Sequence, residues 1–174
     1  VVAMGAVAGS GGYYVSTPAH WIVAQPGTLT GSIGVLTGKI ANVGLMERLL
    51  MHRETVTRGR RAAIFSSDRP FNQQERAVVW DSISRVYGLF LERVARARRM
   101  TAEAVEEVSG GKVWTGRQAK EHGLVDELGG LDVALAKARE LAGLHPRARV
   151  REVPPSKGPL QSPVPQPMAL FDYA

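Results

Sequence analysis

Apolar positions along the chain form short clusters near the N-terminus and one long periodic run in the middle. Val78, Val79, Ile83, Val86, Phe90, Leu91 and Val94 recur at three- and four-residue steps, which predicts a helix from about Asn72 to Arg99 with one apolar face, long enough to cover a sheet. Upstream, Val1 to Met4 and Trp21 to Ala24 are short continuous apolar runs and predict strands. Between them, Gly11 to about Ala19 predicts a helix of small residues stopped at Thr17-Pro18. Pro26-Gly27 predicts a turn, Leu29 to Val35 a β-rich stretch interrupted by Gly31 and Gly34, and Leu45 to Met51 a short helix. Thr55 to Arg61 is polar and basic, and a loop follows through Ser66, Ser67, Asp68 and Pro70.

Past the long helix, Thr101 opens a second helix with acids in its first turns, and Gly110-Gly111 ends it. Lys112 to Trp114 predicts a short strand, and Thr115 an N-cap for a helix from Gly116 to His122. Leu124 to Leu128 leads into Gly129-Gly130, and Leu131 to Leu141 predicts the last helix. From Val153 the pattern stops. Pro154, Pro155, Pro159, Pro163, Pro165 and Pro167 preclude regular helix or paired strand, so residues 151–174 are expected to be a Pro-rich tail on a domain of residues 1–150, with Ala169-Leu170-Phe171 as a candidate docking tag.

Composition narrows this picture modestly. At 174 residues and 44% hydrophobic content the chain suits one domain with a sizeable core, and no apolar run reaches the roughly 18 residues of a membrane span. The absence of cysteine excludes disulfides and thiolate chemistry. The net charge of +6 is concentrated in Arg53, Arg58, Arg60 and Arg61 and in Arg93, Arg96, Arg98 and Arg99. No aromatic residues interleave with either group to stack bases, so a nucleic-acid partner is not expected; the second group falls at a helix end, where cations offset the dipole. Attraction to an anionic membrane surface stays open.

The candidate chemistry centres on Ala8-Gly9-Ser10-Gly11-Gly12-Tyr13, a serine among small residues at a strand-to-helix junction. Glycines there let the backbone turn sharply and approach a substrate carbonyl. A serine hydroxyl needs a base near neutral pH, yet none of His20, His52, His122 and His145 has a convincing context. A second hydroxyl, Ser32, lies in Leu29-Thr30-Gly31-Ser32-Ile33-Gly34, which on spacing alone reads as a Gly-rich turn.

The segments Met4 to Tyr14, Ser16 to Ala19, Ala24 to Gly34, Gly111 to Lys120 and Gly123 to Gly130 together closely resemble the signal peptide peptidase A family, over roughly Val1 to Leu144. The resemblance implies an α/β fold, the ββα superhelix of the Clp protease and crotonase superfamily, truncated here at its N-terminal side. It implies a Ser-Lys dyad that cleaves peptides, with Ser10 as nucleophile, Gly11 N–H as one oxyanion donor and Ser32 as the serine that supports the lysine. Such a lysine must be neutral to act as a base, which favours burial and hydroxyl neighbours over carboxylates.

In single-domain members the lysine follows a Gly-x-Tyr-Lys-like pattern, and here Gly59-Arg60-Arg61-Ala62 puts Ala62 in its place. Guanidinium groups cannot readily accept a proton, and Lys39, the nearest other lysine in sequence, sits beyond the match. The pattern is similar to the C-terminal half of two-domain members, whose lysine comes from a segment not in this chain. The second oxyanion donor would likewise come from an earlier loop. The resemblance further implies peptide substrates such as signal-peptide remnants, a homo-oligomer, association with a prokaryotic cell membrane through a missing segment with the catalytic domain on the extracytoplasmic side, and no cofactor or metal. A family member without catalysis, acting as an oligomerising or peptide-binding module, and a crotonase-like acyl-CoA enzyme are the competing readings.

Overall fold

The computed structural model describes residues 1–153; the Pro-rich reading beyond Val153 and the Ala169-Leu170-Phe171 tag lie outside the described residues. The domain is mixed α/β, with two small sheets. Strands β1 (Val2–Ala3), β2 (Val7–Gly9), β3 (Ile22–Ala24) and β4 (Leu29–Gly31) come first, with helix α1 (Gly11–Ser16) between β2 and β3. Helices α2 (Val43–Arg48), α3 (Gln73–Arg98) and α4 (Ala102–Val108) follow, then β5 (Val113–Thr115), α5 (Gly116–Glu121), β6 (Glu127–Leu128) and α6 (Leu131–Leu141). One sheet has the order β1-β3-β6, all parallel; the other has β2-β4-β5, with β2 parallel and β5 antiparallel to β4.

The first apolar cluster thus serves a different sheet from the one that carries Ser10. Val2 pairs with Ile22, while the residues directly before Ser10 form β2 and pair with β4 in the register Val7–Leu29, Ala8–Thr30 and Gly9–Gly31. The β-rich stretch expected to reach Val35 ends as a strand at Gly31, because φ at Gly31 is +73° and at Ser32 +48°, which breaks the extended run. Helix α1 ends at Ser16, and His20 lies beyond it. Gly31 leaves room for the Trp114 ring, since a Cβ there would stand 2.7 Å from Trp114 Cδ1.

Helix α3 begins as the sequence predicts. Asn72 Oδ1 accepts from Glu75 N at 2.8 Å and the Glu75 carboxylate accepts from Asn72 N at 3.0 Å, a reciprocal capping box. Arg69 holds the same carboxylate, and hydrogen bonds from Arg69 and from the Asn72 backbone bring its pKa down to about 2. The helix, expected to cover a sheet, instead packs its C-terminal part chiefly on helices α4 and α1. Phe90 and Val94 are buried, and the Phe90 ring meets Tyr14 edge-on with centroids 5.1 Å apart, but Val86 is 50% exposed and Trp80 71% exposed. Periodicity marks a helix's apolar face without naming what meets it, and the N-terminal part of α3 instead forms a wall beside Ser10.

The core lies between α1, the C-terminal part of α3, α4 and the two sheets, around Tyr13, Ile22, Ile33, Val94, Val105 and Leu124. Fully burying an aliphatic side chain of this size contributes about 1.5–3 kcal/mol. Tyr13 donates from its hydroxyl to Leu124 O at 2.9 Å, and burial pushes its pKa well above the ordinary 10, so it remains a donor. Arg98 fastens the end of α3 to the segment before β6 with two bonds to Asp126, at 2.6 and 2.9 Å, and one to Gly123 O at 2.7 Å. Burial works against the Asp126 charge, but the Arg98 hydrogen bonds, the Ile22 N–H and the guanidinium charge together hold its pKa below the usual 3.8. Among the described residues no helix is long and apolar enough to cross a membrane.

Candidate active site

Ser10 stands where β2 gives way to α1. Its N–H continues the sheet by donating to Gly31 O at 2.8 Å, and its carbonyl accepts from Tyr14 N at 2.8 Å to start the helix. Joining these two roles in one residue requires a sharp reversal, and Ser10 takes φ 52° and ψ −116°, a conformation that favours glycine and costs a side-chain-bearing residue about 1–3 kcal/mol. The hydroxyl does not cap the helix, and the residue is exposed. Gly11 N–H lies in the first turn of α1, where no intrahelical acceptor exists.

The register carries Ser32 to the same place. Gly9 and Gly31 are the last paired residues of β2 and β4, so Ser10 and Ser32 both follow directly, and a Cβ on Gly9 would stand 3.4 Å from Ser32 Cβ. Ser32 is also held at positive φ, with its N–H on Lys112 O at 2.8 Å. Next, Gly34 passes so close to the Gly110-Gly111 turn that a Cβ on it would stand 2.9 Å from Gly111 N, and Gly111 N donates to Ile33 O at 2.9 Å. The two hydroxyl-bearing loops are thereby fixed against a third backbone segment.

Both serines line a groove of about 900 Å³ whose far wall is α3, through Trp80, Ile83, Ser84 and Tyr87. A smaller cavity of about 310 Å³ adjoins Ser10 and Gly11, lined by Tyr14, Leu36, Val86, Leu89 and Phe90. The lining is mixed: Val35, Leu36, Trp80 and Ile83 supply apolar surface, and Thr37, Ser84, Tyr87 and Glu106 supply polar groups beside the two serines. Tyr87 ties the wall down: its hydroxyl donates to Glu106 Oε1 at 2.9 Å and accepts from Gly110 N at 3.2 Å. Nothing local in the sequence ties Trp80, Ile83, Ser84 and Tyr87 to Ser10, which lies some 70 positions earlier, and only Ile83 among them belongs to the apolar repeat.

The lysines and histidines among the described residues lie elsewhere. Lys39 donates to Ile64 O at 2.8 Å and sits 4.4 Å over the Phe71 ring, and Lys112 donates to Glu107 O at 2.7 Å. Ala62 lines a separate cavity of about 400 Å³ with Arg53, Thr55 and Ser66. The His122 ring lies 4.2 Å from the Trp114 ring at a tilt of 56°, and His145 accepts from Arg147 N at 3.1 Å. Among the described residues, no lysine or histidine lines either cavity at Ser10.

An α/β domain that sets an exposed serine at a strand–helix junction, in an open groove beside a second serine, is an arrangement suited to the serine peptidase class. The family described as Peptidase family S49 matches residues 1–145, and the chain belongs to it. It is 39% identical over 145 residues to the chloroplastic serine protease SPPA of Arabidopsis thaliana, covering 83% of this chain and 21% of that protein. To Protease 4 of Salmonella typhi it is 44% identical over 145 residues, covering 83% of this chain and 23% of that protein, and to Protease 4 of Haemophilus influenzae 34% identical over 141 residues, covering 81% and 23%. The chain therefore spans less than a quarter of the length of these relatives.

Proposed function

We propose that the chain is the serine-bearing part of a Ser-Lys peptidase that degrades cleaved signal peptides or similar apolar peptides, with the lysine supplied by a segment outside it. The observation that carries this reading is the joint placement of Ser10 and Ser32 at the ends of two paired strands, in one groove, each held at positive φ. Ser10 Oγ attacks the scissile carbonyl while a neutral lysine takes its proton. The carbonyl oxygen becomes an oxyanion received by Gly11 N–H and by a second donor from the same outside segment. Collapse breaks the C–N bond, the lysine returns the proton to the leaving amine, and water then hydrolyses the acyl ester on Ser10. Ser32 hydrogen-bonds the lysine and keeps it oriented.

The family resemblance also supports the ββα superhelix of the Clp and crotonase superfamily, homo-oligomeric assembly, and attachment to a prokaryotic membrane with the catalytic domain on the extracytoplasmic side. The competing reading, a peptide-binding module without catalysis, draws on Ala62 and on the lack of a lysine at Ser10 among the described residues.

Peptidase assays on the chain alone and on the longer parent protein, each beside its Ser10→Ala variant, separate the possibilities. The account expects no serine-dependent rate from the chain alone and a rate from the parent that Ser10→Ala abolishes. A rate from the chain alone that Ser10→Ala removes rejects an external base, and an intact parent with no such rate favours the binding module.

A further inference from the structure

A further cavity, of about 550 Å³, lies between the Thr17–Trp21 segment, which follows α1, and the end of α3. Pro18, His20 and Trp21 form one side, and Arg93, Arg96 and Arg99 line the other at three-residue spacing. Arg98 and Asp126 also line it, with the Arg98 guanidinium already committed to Asp126 and Gly123. Arg96 pairs with Glu92 at 2.7 Å, and Trp21 Nε1 donates to Glu127 Oε2 at 3.1 Å. Among the described residues, Arg93 and Arg99 have no ion-pair partner, and both, like His20, are exposed.

Compensation of the helix dipole does not account for this arrangement. That effect fades beyond the last turn, whereas Arg93 lies five residues before the end of α3 at Arg98. Arg99 occupies the C-cap at φ 54°, a left-handed position where glycine or asparagine is the ordinary occupant. Like charges held around one concave space repel each other, and a ligand of opposite sign relieves that repulsion. Guanidinium forks match tetrahedral oxyanions, which offer several acceptor oxygens to more than one arginine at once, better than they match a lone carboxylate.

We infer that this cavity is a phosphate-binding site, in which Arg93 and Arg99, with His20 opposite, hold the phosphate group of an anionic phospholipid headgroup or of a free phosphate. It is separate from the Ser10 groove, with which it shares no lining residue, and it does not depend on the peptidase reading. Trp21, half-buried in the lining, is an amphipathic ring of the kind enriched at membrane interfaces, which favours a lipid headgroup as one source of the phosphate.

The test is calorimetric titration of the full chain with inorganic phosphate, together with cosedimentation with vesicles of phosphatidylglycerol and, separately, phosphatidylcholine. Saturable phosphate binding is expected, weakened about tenfold or more in the double variant Arg93→Gln, Arg99→Gln. The double variant Arg93→Lys, Arg99→Lys keeps the charge without the forks and should fall between. Preferential cosedimentation with phosphatidylglycerol that free phosphate competes away assigns the headgroup as source; saturable phosphate binding with no preference between vesicles assigns free phosphate. Absence of binding to phosphate and to phosphatidylglycerol by the folded chain, or equal binding by the glutamine variant, overturns the site.

Discussion

Replacing Gly31 by alanine tests whether the two-loop architecture around Ser10 depends on a backbone that no side chain fits. Gly31 has φ +73°, and a Cβ on it would stand 2.7 Å from Trp114 Cδ1 and 3.2 Å from Lys112 O. The left-handed backbone costs an alanine about 1–2 kcal/mol. Forcing a methyl group against a packed ring adds about 1–3 kcal/mol, because Trp114 is tied by its Nε1–H to Val108 O at 3.0 Å and Lys112 O is tied to Ser32 N. The sum, about 2–5 kcal/mol, is a large share of the roughly 5–15 kcal/mol of a typical domain. Gly110→Ala is the control: its φ is +69° but nothing lies within 4 Å of its Cβ, so only the backbone cost of about 1–2 kcal/mol applies. Urea denaturation followed by tryptophan fluorescence gives both values at a common m. Gly31→Ala should be the more destabilising by at least about 1 kcal/mol. Equal losses, or a neutral Gly31→Ala, refute the claim that Trp114 packs onto the Gly31 backbone.

Three further outcomes follow from the same geometry. Ser32→Ala should lower kcat in the parent protein by about 10–100-fold, the worth of one hydrogen bond to a group that becomes charged, while KM changes less; an unchanged kcat removes Ser32 from the lysine's support. Asp126→Asn should destabilise by about 3 kcal/mol at neutral pH, the low end for breaking a buried pair since solvent reaches part of this one. Because the folded pKa of Asp126 is depressed, its contribution is complete above the ordinary 3.8 and is lost as pH falls below it, so the wild-type advantage over Asp126→Asn should shrink in acid denaturation series; a constant advantage contradicts the ion pair. Trp80→Ser should leave stability within about 0.5 kcal/mol, since the side chain is 71% exposed, yet raise KM for apolar peptides in the parent, and an unchanged KM would take α3 out of the substrate groove.

Elements announced by local chemistry were legible in the sequence. The apolar repeat places the start of α3 near Asn72, Thr115 is the N-cap of α5 that its position announces, and α6 occupies Leu131–Leu141 as the pattern indicates. The strand β2 was not, because Val7-Ala8-Gly9 is too short and too small in side chain to register as a strand, and it is recognised through its pairing with β4. Ser10 stood out through its glycine neighbours, whereas the nearness of Ser32 to it depends on the parallel register of β2 and β4, which spacing cannot give. The wall formed by Trp80, Ile83 and Tyr87 is a tertiary fact: an apolar stripe is the same in sequence whether it covers a sheet or faces a groove. The arginine cavity illustrates the same limit. Arg93, Arg96, Arg98 and Arg99 read as one run of helix-end cations, and only the fold separates the pair-bound Arg98 from the exposed Arg93 and Arg99.

The proposed mechanism makes Ser10 the nucleophile and Ser32 its neighbour in support. The most direct measurement is labelling of the intact parent protein with a fluorophosphonate, followed by mass spectrometry of the modified peptide. One adduct is expected, on Ser10, lost in Ser10→Ala and formed more slowly in Ser32→Ala; an adduct on Ser32, or labelling that survives Ser10→Ala, contradicts the proposed roles.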